Sequence, residues 1–333
     1  RMENRQNRTV DVRMRGFPSR SDVDQVNRLV RELAGPLEPE TVPLELAAGR
    51  VLAHDVVSSV PVPGFARAAM DGYAVRGEET FGASDYNPLS FRLVGEAMPG
   101  RPFSGHVNAG EAVRIMTGAP LPAGADSVVM AEYATESDGP TGKVVSVTDP
   151  VTPGRHVGQV AEDVEVGQLL LRAGRVLRPQ DVGVLSSVGV AGVSVVGQPI
   201  VRIVITGDEL LPPGSTPSGS RIVDSNSLML DALVRRDGGI PARGAIVPDR
   251  RDAVEAAITD LAGDLILVSG GSSVGAEDHA PMVVAERGEL LVHGVAMRPS
   301  SPTGLGRVGG RLVFLLPGNP VSCLCAYDFF AGP

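Results

Sequence analysis

The sequence predicts a multidomain α/β protein, and three observations lead to this fold class. The chain has 333 residues, which is more than a typical single domain contains. Residues 61–148 form short β-prone segments broken by Gly or Pro, which is typical of a compact β-rich domain inserted into the chain. From residue 178 to residue 333, strand-like runs alternate with helical ones, which predicts a parallel α/β domain.

The sequence pattern of the N-terminal part predicts a region of helical and extended segments. A helix is expected from Ser21, which can cap it, to Gly35, which stops it together with the following proline. A short helix and a strand follow within residues 42–58. The extended segments of residues 149–177 are expected to return to this region. We therefore expect one N-terminal linker or dimerisation domain made of 21–60 plus 149–177.

The sequence pattern of the C-terminal domain, residues 178–333, predicts four strands separated by helices. One helix covers residues 227–237, and Asp249 is expected to cap the next, which Gly263 ends. Such an alternation indicates right-handed crossovers and a parallel sheet. The strands are predicted at residues 199–206, 242–247, 264–269 and 310–316.

Composition excludes several classes of function. The net charge of −9 argues against nucleic acid or an anionic membrane as the main partner. No apolar run approaches the roughly 20 residues of a membrane span, so we expect a cytoplasmic protein. Cys323 and Cys325 are too few for a zinc site and too close for a structural disulfide, so we expect core cysteines. Residues 1–20 are basic and polar without periodicity, which predicts a flexible tail.

Polar loops follow three of the predicted strands. In a parallel sheet the carboxyl ends of the strands form the ligand-binding edge. Small residues at 269–273 let backbone amides and hydroxyl groups converge on a phosphate. The carboxylates on these loops suit a hydrated magnesium ion beside that phosphate. The loops are Thr206-Gly-Asp-Glu-Leu210, Ser269 to Asp278 with Glu277, and Pro317-Gly-Asn-Pro-Val-Ser322.

Two short motifs offer other interpretations. Gly271-Ser-Ser-Val-Gly275 has the letters of a hydrolase nucleophile elbow, with Ser273 as the nucleophile. A triad would then need His279 or His293 as the base, and no separate acid precedes His279. Gly304-Leu-Gly-Arg-Val-Gly309 precedes a strand instead of following one, so we expect a turn and not a dinucleotide site.

Six motifs, several of them weak when taken alone, occur together in this chain. Together they resemble the molybdopterin molybdenumtransferase family, the MoeA-type enzymes that include the C-terminal part of gephyrin. The resemblance covers residues 20–333. The motifs that carry it are Ala68-Ala-Met-Asp-Gly-Tyr-Ala-Val75, Arg114-Ile-Met-Thr-Gly-Ala-Pro120, Ile205-Thr-Gly-Asp-Glu-Leu210, Asp224-Ser-Asn226, Ser269 to Asp278 and Leu316-Pro-Gly-Asn-Pro-Val-Ser322.

The resemblance implies an elongated cytoplasmic homodimer that takes adenylylated molybdopterin and molybdate, releases AMP with Mg²⁺, and inserts molybdenum. It implies that Asp71 and Thr117 close the cleft from the partner subunit. Asp71, Asp208 and Asp278 would be catalytic, and Asp208, Asp278 and Glu277 would hold the metal. The implied substrate-binding residues are Thr117, Asp181, Thr206, Gly207, Ser269, Gly270, Gly271, Ser272, Arg298, Pro317, Gly318, Asn319 and Pro320.

The chain departs from the family in two places. Where the family has Lys-Pro-Gly-Lys-Pro, this sequence has Arg298-Pro-Ser-Ser-Pro302, which keeps one cation but loses the Gly and the second Lys. We also expect the family's small C-terminal β domain to be absent, because the sequence stops at Pro333. The alternative function is therefore a molybdopterin-binding paralogue or scaffold that has lost metal insertion. A hydrolytic or nucleotide-processing enzyme is a third reading, which leaves the motif at 68–75 unexplained.

Overall fold

The computed structural model describes residues 19–140, 142–260, 262–271 and 278–333. The chain divides into two compact units. One, here the α/β unit, contains the residues up to Glu40 and Val195–Pro333, and the other, here the β-rich unit, contains Thr41–Ser194. The domain boundaries expected from the sequence stay a prediction.

Helix α1, Val23–Leu33, is the first helix or strand among the residues that the structure describes. Its N-cap is Asp22 and not Ser21, since the Asp22 carboxylate accepts a hydrogen bond of 2.9 Å from the backbone N–H of Asp24. Val26 is 1% exposed and lies in the same hydrophobic cluster as strand residues of the α/β unit, such as Val201. The helix is therefore part of the α/β core.

The β-rich unit is built on a six-stranded sheet of order β7-β4-β6-β5-β9-β8, which confirms the predicted β-rich segment. Strand β11 pairs with β2, so residues 169–171 return to the earlier region as predicted. The elements between residues 39 and 196 are β1 (Pro39–Pro43), β2 (Val56–Val57), β3 (Arg67–Ala68), β4 (Gly72–Val75), β5 (Leu89–Ala97), β6 (Glu111–Ile115), β7 (Ser127–Met130), β8 (Ala134–Gly139), β9 (Gly142–Val147), β10 (Val157–Gly158), β11 (Leu169–Leu171), α2 (Pro179–Ser187) and β12 (Gly192–Val196), with 3-10 turns at Leu44–Leu46, Gly77–Thr80 and Ala131–Tyr133.

The α/β unit is built on a second six-stranded sheet, of order β16-β13-β17-β20-β19-β18. The first four strands are parallel, which confirms the parallel sheet predicted for them, and the last two, β19 and β18, are antiparallel additions that the sequence analysis did not predict. The elements are β13 (Ile200–Ile205), β14 (Leu210–Leu211), β15 (Ile222–Val223), α3 (Asn226–Arg236), β16 (Ile240–Arg243), α4 (Arg251–Thr259), β17 (Leu265–Ser269), α5 (Ala280–Arg287), β18 (Gly288–His293), β19 (Gly304–Val308), β20 (Arg311–Leu316) and α6 (Pro320–Ala326), which continues as a π-helix at Tyr327–Ala331.

The turn predicted at Gly304–Gly309 is wrong, because residues 304–308 form strand β19. Leu305 and Val308 are buried, and the glycines let the strand lie close to its neighbours. A Cβ on Gly306 would come within 2.3 Å of Val284 Cγ1. The glycines here serve close packing in a strand and not a turn.

Both faces of this sheet are covered. One face packs against α1, α3 and α6, and the other against α4 and α5. Strand β13 lies between β16 and β17, although β16 follows it in the chain and β17 comes later. The chain direction across the sheet therefore reverses at β13, which makes the carboxyl end of β13 the switch point where ligands bind in such sheets.

Candidate functional site

The three loops predicted from the sequence meet at the carboxyl edge of the parallel strands. They enclose a cavity of about 820 Å³, here called the first cavity. The loops after β13, β17 and β20 all contribute to it, as the strand-end rule predicts. Predicted residues that line it are Thr206, Gly207, Ser269, Gly270, Gly271, Asp278, Pro317, Gly318, Asn319 and Pro320.

Gly270 and Gly271 make the tight turn that follows β17. Both have positive φ, +96° and +56°, which favours glycine. A Cβ on Gly270 would lie 2.3 Å from the carbonyl oxygen of Thr206, so the two loops can touch only without a side chain. Both glycines line the first cavity, so the backbone of this turn forms part of its wall.

Asn226 joins two of the loops, although the sequence analysis did not place it among the site residues. Its Nδ2 donates hydrogen bonds to Ser269 Oγ at 2.9 Å and to the carbonyl oxygen of Gly318 at 2.8 Å. Ser269 Oγ in turn donates to the carbonyl oxygen of Pro317 at 3.3 Å. Asn226 is the last residue of the motif 224–226 and the first residue of α3, and this position is the signal that could have identified it.

Two buried polar atoms of the first cavity's lining residues have no hydrogen-bond partner among the residues that the structure describes. They are Thr206 Oγ1 and Asn226 Oδ1, on residues that are 3% and 6% exposed. Buried polar atoms are usually paired, so these two mark the cavity wall as polar and suited to a ligand or an ordered water.

Asp208 and Asp249 bond to each other's backbone. The N–H of Asp208 donates to Asp249 Oδ2 at 3.1 Å, and the N–H of Asp249 donates to Asp208 Oδ1 at 3.2 Å. This explains why the predicted cap is wrong: Arg250 is the N-cap of α4 and Asp249 holds the loop after β13 instead. Asp249 lines the first cavity, whereas Asp208 lines a neighbouring one.

The donor set can be compared with the needs of magnesium. No group of three or more His, Cys, Asp or Glu side chains could hold a metal ion among the described residues. Magnesium usually takes only one or two protein carboxylates and completes its shell with water and substrate phosphates. Asp249 and Asp278 on the wall of the first cavity fit that kind of site. The predicted Glu277 and Ser272, like Ser273 of the hydrolase alternative, lie outside the described residues.

Asp71 and Thr117 come together in the β-rich unit. Asp71 Oδ1 accepts hydrogen bonds from the backbone N–H and from the hydroxyl of Thr117, both at 2.7 Å. The backbone N–H, followed by the hydroxyl, lowers the pKa of Asp71 below its ordinary value because both bonds stabilise the charged carboxylate. Both residues are exposed, so the charged carboxylate faces solvent.

Asp181 also lies in the β-rich unit, at the start of α2. Its carboxylate is 5% exposed and bonds to Arg178 Nε at 3.1 Å and Arg175 Nε at 3.0 Å. The Arg178 side chain, and next that of Arg175, lower the pKa of Asp181 well below its ordinary range. The carboxylate thus holds the N-terminus of α2, and a role in substrate binding stays a prediction.

Arg298 is exposed and is not among the described residues that line the first cavity. The segment it begins does reach the cavity, since Pro302 is part of the wall. Ser300 Oγ donates a hydrogen bond of 2.7 Å to the carbonyl oxygen of Ser322 and so ties the segment to α6. The structure therefore places the segment at the wall and its cation at the surface.

The comparisons with known proteins show the family of this chain. The family described as MoeA N-terminal region (domain I and II) matches residues 21–189, and the one described as probable molybdopterin binding domain matches residues 202–333.

Among the described residues, no helix has both the length and the apolar character that crossing a membrane requires.

Relatives and solved structures cover most of the chain. A molybdopterin molybdenumtransferase 2 of Mycobacterium tuberculosis is 37% identical over 93% of this chain and 78% of its own length. A molybdopterin molybdenumtransferase of Staphylococcus aureus is 32% identical over 93% of this chain and 74% of its own. A molybdopterin biosynthesis MoeA protein structure from Pyrococcus horikoshii has a TM-score of 0.83 and 33% identity, over 95% of this chain and 79% of that one. The resemblance carried by the motifs is confirmed, and the chain belongs to the MoeA family, the molybdopterin molybdenumtransferases of molybdenum cofactor biosynthesis.

Proposed function

We propose that this protein inserts molybdenum into adenylylated molybdopterin and releases AMP. The observation that carries the proposal is the first cavity, where glycine turns, hydroxyl groups and carboxylates from three strand ends converge. Molybdate and the phosphates of the substrate are anions, and backbone amides at positive-φ glycines can hold them without a dedicated cation. Similarity to the named transferases supports this reading.

Residues of all three loops contribute to the proposed binding of the substrate. The turn at Gly270 and Gly271 offers its backbone to a phosphate, and Asn226 keeps that turn in register with the loop at Gly318. Asn319 caps α6 by accepting a hydrogen bond from the N–H of Ser322 at 3.2 Å, which orients the third loop. These hydrogen bonds are in place before the substrate enters, and preorganisation of this kind strengthens binding.

Magnesium would be held by Asp278 and Asp208, with Glu277 next to Asp278 in the sequence and Asp249 on the segment after β16 as further carboxylates. Asp249 and Asp278 line the first cavity, and Asp208 reaches this wall through its hydrogen bonds with Asp249. When bound with the substrate, it would neutralise phosphate charge and act as a Lewis acid. Asp208 follows β13 and Asp278 precedes α5, so the chain has a negatively charged side chain at each of these two points to attract such a cation.

We also propose a homodimer in the cytoplasm, in which Asp71 and Thr117 act on the substrate held by the partner's α/β unit. Subunit complementation tests this arrangement. Asp71→Ala and Asp278→Ala should each be inactive alone. After the two proteins are mixed under conditions that exchange subunits, the mixed dimer should regain activity, and failure to regain it would contradict the shared site.

The central test incubates the purified protein with adenylylated molybdopterin, Mg²⁺ and molybdate. AMP release and metal-loaded cofactor should appear together and should both be lost in Asp278→Asn. Asp252→Asn, an exposed substitution of the same type on α4, is the matched control and should retain both.

The binding-only alternative has one observation in its favour, the Ser300-Ser301 replacement in the segment after Arg298. In that case the protein would bind adenylylated molybdopterin but release no AMP and load no metal. The central test separates the two functions directly.

A further inference from the structure

Tyr73 and Arg114 belong to the same two sequence motifs as Asp71 and Thr117. They lie on β4 and β6, directly opposite each other in this antiparallel pair of strands. Tyr73 follows Asp71 closely in the chain, and Arg114 shortly precedes Thr117. A group that holds these two side chains therefore also restrains the strand ends that carry the Asp71–Thr117 pair.

One carboxylate, that of Glu136 on β8, bonds to both side chains. Its Oε1 accepts hydrogen bonds of 2.8 Å from the Tyr73 hydroxyl and from Arg114 Nε, and Arg114 Nη2 also donates to it. Lys143 Nζ lies 3.8 Å from the second oxygen, Oε2. Tyr73 is 8% exposed and the Glu136 side chain 19%, so these bonds are largely shielded from water. Tyr73, Arg114 and Glu136 are here called the Glu136 cluster.

The charge states of the Glu136 cluster suit these bonds. The Arg114 side chain lowers the pKa of Glu136 below its ordinary value, so the carboxylate is charged at neutral pH. Burial, followed by the bond to Glu136, raises the pKa of Tyr73, so the phenol keeps its proton and donates it. Because hydrogen bonds to a charged group are stronger than those between neutral groups, the cluster joins β4, β6 and β8 firmly.

The contact between β8 and the other two strands requires the six-stranded sheet to curl, since β9 and β5 separate β8 from β6 in the strand order. The two edge strands, β7 and β8, are separated in the chain only by the turn Ala131–Tyr133. The N–H of Ala131 donates a hydrogen bond of 3.0 Å to the carbonyl oxygen of Asp71. The backbone of Asp71 is thus bonded to the turn that leads into the strand of Glu136.

We propose that Glu136 is a positioning residue for Asp71 and Thr117. By holding Tyr73 and Arg114 it fixes the ends of β4 and β6, and the Asp71 carboxylate keeps the orientation set by its two bonds to Thr117. This inference rests on the proposed function, in which Asp71 acts on the substrate held by the partner's α/β unit. It adds a residue that does not touch the substrate but sets the geometry of one that does.

The first test measures the pKa of Asp71 by carboxyl-carbon NMR titration, without turnover. Glu136→Ala removes the shared acceptor, so the bonds from Thr117 should weaken and the pKa of Asp71 should rise toward its ordinary value. Loss of the Glu136 charge alone would act in the opposite direction. It leaves the positive charges of Arg114 and Lys143 uncompensated, and these lower the pKa of a carboxylate. The sign of the shift therefore separates positioning from electrostatics.

Three further variants sharpen this test. Glu136→Gln keeps an acceptor oxygen, so its Asp71 should titrate closer to the wild type than in Glu136→Ala. Tyr73→Phe removes one hydroxyl and leaves the ion pair intact, so it should raise the pKa of Asp71 even if Glu136→Ala does not fold. Glu111→Ala is the matched control, because it removes another arginine-paired carboxylate, that of the Arg92 ion pair, from the opposite end of β6. This control should leave the pKa of Asp71 unchanged.

Turnover is the second readout. A misplaced Asp71 should lower kcat of Glu136→Ala by about tenfold and leave KM within about twofold, because the substrate is held by the partner's α/β unit. Glu136→Gln should recover most of kcat, and Glu111→Ala should keep both constants. A merely structural carboxylate would lower the melting temperature in both alanine variants without this selective loss of kcat.

The outcomes separate the inference from the proposed function. If the wild type releases AMP and loads metal, but the pKa of Asp71 is unchanged or lower in Glu136→Ala and Tyr73→Phe, positioning by Glu136 is overturned and the transferase stands. If the pKa rises although the wild type releases no AMP, the positioning of Asp71 stands and the transferase activity is overturned. If the pKa rises in an active enzyme whose kcat is unchanged, the role of Glu136 in the reaction is overturned.

Discussion

Asp71 and Thr117 form a closed pair in which a single carboxylate oxygen accepts both the backbone N–H and the hydroxyl of Thr117, each at 2.7 Å. They are 46 residues apart in the chain. The pairing arises because β4 and β6 are neighbouring antiparallel strands with Gly72 opposite Ile115, which places the residue before one strand beside the residues after the other. Two turn motifs that look unrelated in the sequence are thus one structural feature.

Thr117→Val should raise the pKa of Asp71 part of the way to its ordinary value. The valine removes the hydroxyl donor but keeps the backbone N–H, so the carboxylate loses one of its two stabilising bonds. Carboxyl-carbon NMR titration measures the shift. Thr117→Ser keeps the hydroxyl and should titrate like the wild type, and equal titration of Val and Ser variants would contradict the pairing.

The same pair predicts a pH dependence of stability. The pKa of Asp71 is lowered in the folded protein. Its hydrogen bonds to Thr117 therefore contribute their full stability at pH values above the pKa that Asp71 has in the unfolded chain. That contribution is lost as the pH falls through the folded pKa. Thermal melts at neutral and acidic pH should therefore show a smaller acid-induced loss for Thr117→Val than for the wild type.

Asn226→Ala should destabilise the protein by about 1–3 kcal/mol, because Ser269 Oγ and the Gly318 carbonyl lose a buried donor. Urea denaturation measures the change. Asn87→Ala removes an exposed amide that donates to the Gly82 carbonyl at 2.9 Å, so its cost should be below about 1 kcal/mol. Similar costs for both variants would show that Asn226 does not hold the loops together.

Gly270→Ala should cost about 1–3 kcal/mol of folding free energy and weaken substrate binding. The added methyl group would meet the Thr206 carbonyl oxygen at 2.3 Å, and φ of +96° is unfavourable for alanine. Gly35→Ala is the control, since no atom lies within 4 Å of its Cβ position. Unfolding curves that are identical for the two variants would contradict the tight approach of the loops.

Ser300 occupies the position of the glycine in the family's Lys-Pro-Gly-Lys-Pro motif. Its φ of +91° is in the region that favours glycine. Ser300→Gly relieves that strain but loses the hydrogen bond to Ser322, so its stability should stay within about 1 kcal/mol of the wild type. Ser300→Ala keeps the strain and loses the bond, and should therefore be the less stable variant. Equal melting temperatures for Ala and Gly would show that the backbone is unstrained.

Asp181→Asn should lower the melting temperature at neutral pH more than Asp252→Asn does. The Asp181 carboxylate is buried between Arg175 and Arg178, whereas the Arg250–Asp252 pair is exposed on both sides. Since the pKa of Asp181 is lowered in the fold, the difference between the variants should shrink as the pH falls through that pKa. Normal substrate affinity in folded Asp181→Asn would remove it from the predicted binding residues.

The sequence by itself predicted the strands β13, β17 and β20 and the loops that follow them. Their apolar runs are continuous, and the change to Gly, Ser and Asp at each strand end is abrupt, so local pattern is enough to place them. The same pattern predicted that the loops share one edge, since parallel strands end together. The family could be identified from the sequence because each of its motifs is a short run of consecutive residues.

Only the tertiary structure decided how residues distant in the chain meet. The bonds from Asn226 to Ser269 and Gly318 cross between a helix start and two strand ends, and no local pattern encodes such a contact. The strand at Gly304–Val308 depended on its neighbour β20, because its glycines suit a turn equally well until a packed side chain leaves no room for a Cβ. Long-range pairing is set by which strands become neighbours, and that choice is made by the packing of the whole unit.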